Sequence, residues 1–150
     1  MNNNDKLVAI EEIRQLKARY FRGVDSKDWE LYRSVFADNV HMDISDDMPD
    51  GIFDDADRAV EAARQGLAGC QSVHHGHCPE IEITSETTAK GIWAMEDMLF
   101  WAVDSEFPGQ RLHGMGHYFE TYEKIDGRWT INSMKLKRLK VILTPGEISD

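Results

Sequence analysis

Five residues in this 150-residue sequence have the types and settings that acid–base chemistry requires: Tyr20, Asp25, His74, Asp97 and Arg138. A histidine held by a buried carboxylate is a general base able to work near neutral pH. His74 sits in Val73-His74-His75-Gly76-His77-Cys78, where strand alternation puts His74 and Gly76 on one face and His75 and His77 on the other. Each of these histidines could equally be a satisfied structural residue. Asp25 could partner His74, or it could cap a following helix in competition with Asp28. Asp97 shares a strand face with Trp93, Met95 and Leu99, so it must be paired, protonated or functional if that face is inside. Arg138 shares a face with Met134 and Leu136, whereas Trp129 and Ile131 have the opposite parity. A bulge near residue 132 is therefore required, and the rival reading of Arg138 is an exposed basic strand edge. Tyr20 lies on an apolar helix stripe, which turns its ring inward and leaves its hydroxyl in need of a partner.

Other chemistry is not signalled. His113 and His117 lie on a neighbouring segment, but no H-E-x-x-H, facial-triad or Cys-pair spacing is present, so no metal is expected at His74, His75, His77, His113 or His117. There is no G-x-S-x-G, G-x-G-x-x-G or P-loop, so no cofactor is expected.

These residues need a scaffold. Residues 5 to 22 read as a helix with Asp5 as cap, an apolar stripe through Leu7, Ile10, Ile13, Leu16, Tyr20 and Phe21, and Gly23 as its terminator. A shorter helix follows from Trp29 to Phe36 behind Asp28, then a short strand over Asn39 to Ile44. A third helix spans Asp55 to Leu67. Four β-rich segments come next, at about 71–84, 88–104, 111–125 and 128–143, and Asp126-Gly127 marks the last hairpin. Helices first and an antiparallel meander second predict one α+β domain over residues 1 to 150, the helices covering one face of the sheet.

Composition narrows the partners. The chain is 41% hydrophobic and 29% charged, an ordinary globular balance, with a net charge of −10 from 27 acidic and 17 basic residues. That field repels phosphate backbones and anionic lipid, so neither nucleic acid nor membrane is an expected partner. No run approaches the length of a membrane span. Two cysteines, Cys70 and Cys78, make no disulfide framework, and a cytoplasmic setting fits them. A small hydrophobic ligand is the expected partner.

The stretch Gln15-Leu16-Lys17-Ala18-Arg19-Tyr20-Phe21-Arg22-Gly23-Val24-Asp25 resembles the first helix of the bile-acid 7α-dehydratases. So do His74-x-Gly76-His77-x-Pro79-Glu80-Ile81, Gly91-x-Trp93-x-x-Glu96-Asp97 and Tyr122-Glu123-Lys124-Ile125-Asp126-Gly127-x-Trp129. More distantly the chain is similar to hexachlorocyclohexane dehydrochlorinase and scytalone dehydratase, all of the SnoaL-like (nuclear transport factor 2-like) group. The resemblance implies a cone-shaped α+β barrel around one pocket, no metal or organic cofactor, and a homotrimer or homodimer. By matching position it puts the family's site residues on Tyr20, Asp25, His74, Asp97 and Arg138. Residues 41–70 match poorly, so the bile-acid substrate does not carry over. The implied activity is elimination: His74 removes a C–H proton, Asp25 fixes its tautomer, Tyr20 donates to a carbonyl or leaving oxygen, and Asp97 and Arg138 orient the substrate. An isomerase, a dehydrochlorinase and a non-catalytic ligand-binding or association module remain alternatives on the same parts.

Overall fold

The computed structural model describes residues 1–146. Helix α1 (Asn3–Asp25) opens on a capping box. The Asn2 side chain accepts from the Asp5 N–H at 2.9 Å, and the Asp5 carboxylate accepts from the Asn2 N–H at 3.3 Å. Asn2 is therefore the cap, and Asp5 closes the box from inside the first turn. At the other end α1 runs on through Gly23, contrary to the expectation that this glycine stops it. Gly23 provides space instead: a β-carbon there would stand 2.8 Å from the backbone nitrogen of Tyr32. Its absence lets α1 cross α2 (Trp29–Ser34) closely. The left-handed residue comes later, at Lys27 with φ 58°.

Asp28 caps α2 by accepting from the Leu31 N–H at 3.0 Å. The helix stops at Ser34, so Phe36 opens strand β1 (Phe36–Asp43) rather than closing the helix. The short β2 (Ile52–Phe53) and α3 (Ala56–Gly66), capped by Asp55, complete the first half. The second half is β3 (Cys70–Ile83), β4 (Thr88–Trp101), β5 (Arg111–Ile125) and β6 (Arg128–Thr144).

All six strands form one sheet in the order β2-β1-β6-β5-β4-β3. The β3 to β6 ladders are antiparallel, as their tight turns require, but β1 lies parallel to β6. The sheet is mixed, where the second half alone predicts a purely antiparallel one. Three irregularities in the antiparallel ladders set its faces. The β5–β6 register shifts at Thr121/Tyr122, which leaves Asn132 unpaired and reconciles the two parities of β6. A second shift in that ladder leaves Leu139 unpaired. In β3 the register shifts between His77 and Glu80, with Cys78 at φ 42°.

The inward face carries Trp93, Met95, Tyr118, Tyr122, Ile131, Met134 and Leu136, closed over by Ile13, Leu16, Tyr20 and Val24 of α1. Burying each such side chain contributes about 1.5–3 kcal/mol. Two charges share this core. Lys17 is 0% exposed and Glu120 3%. The Lys17 ammonium donates to Glu120 and lies 3.7 and 3.8 Å from the ring centroids of Tyr20 and Tyr118. The Tyr122 hydroxyl donates to the other Glu120 oxygen, and Trp93 Nε1 donates to the Tyr122 oxygen at 2.9 Å. Among the described residues no helix is long and apolar enough to cross a membrane.

Candidate active site

The two residues by which α1 outruns Gly23 deliver Asp25 to the free edge of β3. There its Oδ2 accepts from the His74 backbone N–H at 2.8 Å, and its Oδ1 lies 2.6 Å from His74 Nδ1 and accepts from Ser72 Oγ at 3.0 Å. Lys27, turned by its left-handed backbone, donates to Ser72 Oγ at 2.9 Å. Burial works against the charge on Asp25, but the His74 ring and backbone donors and the Ser72 hydroxyl outweigh it, and the carboxyl sits below its ordinary range. An ionised Asp25 can only accept, so Nδ1 carries a proton and, when the ring is neutral, the lone pair sits on Nε2.

His74 lines a cavity of about 500 Å³ between the inward face of the sheet, α1 and α3. Its walls include Tyr20, Tyr32, Tyr118, Asp97 and Arg138, and Leu67, Trp101, Phe107 and Leu143 form an apolar end. Asp25 stands behind His74, outside the lining. The volume falls within the range that holds a small organic ligand. A larger depression of about 820 Å³ spans the other side of the sheet. Of its lining residues His41 pairs with Asp54 outside it, the two side chains being 53% and 77% exposed and so screened by solvent.

Asp97 is 3% exposed and takes two hydrogen bonds from Arg138, Nη1 to Oδ1 at 2.8 Å and Nη2 to Oδ2 at 2.9 Å. Its Oδ2 lies 3.8 Å from His74 Nε2. Burial opposes the charge on Arg138, but the Asp97 and Asp47 carboxylates overcome that and its pKa is raised. Tyr20 and Tyr118 are held well above the ordinary phenol range, first by burial and then by neighbouring groups, so both stay protonated. The Tyr20 ring packs against those of Tyr32 and Tyr118, with centroids 5.2 and 5.9 Å away.

The structure thus brings Tyr20, His74, Asp97 and Arg138 to one cavity, with Asp25 behind His74. His75 and His77 point to the opposite face of β3, and their rings meet edge-on at 5.9 Å. His113 pairs with Glu96 at 2.6 Å on that outer side, where His117 packs by Phe119. Among the described residues no three His, Cys, Asp or Glu side chains converge as a metal centre would.

One close approach makes the Asp97–Arg138 pair possible. A β-carbon on Gly114 would lie 2.3 Å from both Arg138 Nη1 and Asp97 Oδ1. Gly114→Ala should separate the two charges and lower stability by about 1–3 kcal/mol, read as a shift in urea midpoint at unchanged slope.

Comparison with known proteins adds the lineage. The SnoaL-like domain model matches residues 5–135. The chain belongs to that family. A probable cyclase, FGR4, of Gibberella zeae is 26% identical over 139 residues, covering 85% of this chain and 89% of that one. The crystal structure of a type 2 hexachlorocyclohexane dehydrochlorinase superposes with TM-score 0.82 at 18% identity, over 99% of this SnoaL-like chain and 97% of the other. A scytalone dehydratase candidate from Novosphingobium aromaticivorans gives TM-score 0.82 at 19% identity, over 99% and 94%. At such identities these structures speak for the fold, the helix-covered cone the sequence led us to expect.

Sequence reasoning passed over Asp47, Ser72, Lys27, Tyr118 and the Lys17–Glu120 pair. Ser72 and Tyr118 had a usable signal, since each is an inward-parity polar residue beside one already singled out. Asp47 had none. It lies in a turn, where no periodicity says which way a side chain points.

Proposed function

We propose that this SnoaL-like protein is a cofactor-independent acid–base enzyme, a dehydratase-type lyase acting on a small hydrophobic hydroxy-ketone, polycyclic or steroid-like in shape. The observation that carries the reading is the Asp25–His74 pair, with His74 lining a largely apolar cavity. His74 takes the proton from a carbon next to the substrate carbonyl, and the ionised Asp25 stabilises the imidazolium that forms. Electrons move to the carbonyl oxygen and return to form the C=C bond as the β-hydroxyl leaves with the proton that His74 holds, which gives water and restores the base. Of the cavity walls, the tyrosines supply the donor for the carbonyl oxygen: Tyr20 and Tyr118 stay protonated and line the cavity. A dehydrochlorinase or isomerase would use the same base and differ only in the leaving group or in the return of the proton.

The test is a panel of β-hydroxy ketones, 3-oxo-steroids included, followed by the ultraviolet band of the conjugated enone. Turnover is expected, and Tyr20→Phe should slow it by about tenfold, the worth of one hydrogen bond. A double bond that shifts without loss of water would move the reading to an isomerase. Saturable binding of the whole panel with no chemical change would leave a ligand-binding module.

A further inference from the structure

Among the described residues Arg138 is the one Lys or Arg lining the cavity, and it has nothing left to offer a ligand. Its Nε donates to Asp47 Oδ1 at 2.8 Å, and its Nη2 donates to Asp47 Oδ2 and Asp97 Oδ2, both at 2.9 Å. Nη1 donates to Asp97 Oδ1 at 2.8 Å and to the Met95 sulfur at 3.5 Å. These contacts use all five N–H groups of a guanidinium. The two carboxylates differ in freedom. Asp97 is 3% exposed on a central strand, whereas the Asp47 side chain is 31% exposed on the turn between β1 and β2. That turn is tied to β6 beside the guanidinium, where the Asp46 carboxylate accepts from the Arg138 backbone N–H at 2.9 Å. Asp46, Asp47 and Met48 also form part of the cavity wall.

We propose that Asp47 is a specificity-determining residue: it fills the outer side of Arg138 with an internal carboxylate, so that the cavity accepts uncharged ligands and rejects those carrying a carboxylate. The inference rests on the reading of this cavity as the ligand site, and it narrows the substrate class to neutral molecules. A carboxylate-bearing ligand meets Asp47 and Asp97 around one guanidinium that both already neutralise. It can gain a partner only by expelling Asp47, which substitutes one ion pair for another and gains little. A ketone or alcohol needs no such exchange.

Binding of 2-naphthoate and 2-acetonaphthone, of nearly equal shape and opposite in charge character, tests this by calorimetry without any turnover. The wild type should favour the ketone. Asp47→Asn should raise naphthoate affinity relative to acetonaphthone by about tenfold or more, and the gain should weaken with added salt. Asp47→Ser gives the same reading should the amide re-form the contact. Asp50→Asn removes a carboxylate from the same exposed turn but outside the cavity lining, so its ratio should stay at the wild-type value. An unchanged ratio in both Asp47 variants overturns the proposal, as does naphthoate preference in the wild type or failure of the Asp47 variants to bind naphthoate. An equal shift in Asp50→Asn would assign the effect to the overall charge of the turn and overturn it as well. The lyase reading stands or falls separately, on enone formation.

Discussion

Asp25→Asn and His74→Ala should each lower enone formation by about 10²–10⁴-fold while the melting temperature stays close to that of the wild type. For His74→Ala the reason is direct, since the base is gone. For Asp25→Asn it lies in the hydrogen-bond pattern. The His74 backbone N–H needs an acceptor where Oδ2 now stands, 2.8 Å away. The Asn oxygen must take that position, which turns its NH₂ toward Nδ1. Nδ1 then has to accept, the ring proton moves to Nε2, and the lone pair facing the cavity disappears. Shape and packing hardly change, so a rate loss with native stability isolates the tautomer as the cause. Near wild-type rates in both variants would end the elimination mechanism. Initial rates together with calorimetric melting decide the matter.

Lys17→Met carries the largest expected cost in stability, about 3–5 kcal/mol. Methionine matches the length of the lysine stem but removes the charge that faces Glu120. The carboxylate would then be 3% exposed, with the Tyr122 hydroxyl as its remaining donor. The Tyr20 and Tyr118 rings would lose the ammonium held between them at 3.7 and 3.8 Å. Pairing the change with Glu120→Gln removes the orphaned charge and should restore much of the loss, because replacing both members of a buried pair costs far less than replacing one. Urea midpoints of wild type, Lys17→Met, Glu120→Gln and the double variant form the cycle. A loss below about 1 kcal/mol in Lys17→Met would mean that Glu120 protonates instead of staying charged.

How far the sequence could be read followed from periodicity. Alternation in β4 put Asp97 with Trp93, Met95 and Leu99, and all four are buried. The clash of parity between Trp129 and Leu136 called for a bulge, and Asn132 is the unpaired residue. The same logic could have reached Lys17, which is spaced with Ile13, Leu16, Tyr20 and Val24 on the inward stripe of α1. Its charge suggested the solvated face, because a lysine enters a core only when a distant partner meets it there. That partner is 103 residues away. Gly23 was legible as special but not for its reason, since closeness to Tyr32 is a property of helix packing and not of local sequence. The parallel pairing of β1 with β6 was illegible for the same cause, and so was the Asp47 contact.

That parallel pairing also bears on how the chain reaches its native state. The β3 to β6 ladders join segments adjacent in sequence and can form hairpin by hairpin within microseconds. β1 pairs Phe36 with Ile131 and Met42 with Met134, closing loops of more than ninety residues in each case. In a nascent chain β1 emerges long before its partner exists, and Val40 and Met42, both buried in the finished molecule, must wait beside the polar turn that follows. Contacts of such high order raise the folding barrier and prolong exposure of an unpaired apolar strand. The Asp46 and Asp47 contacts to Arg138, carried by the turn after β1, therefore form in the step that also retires an aggregation-prone edge.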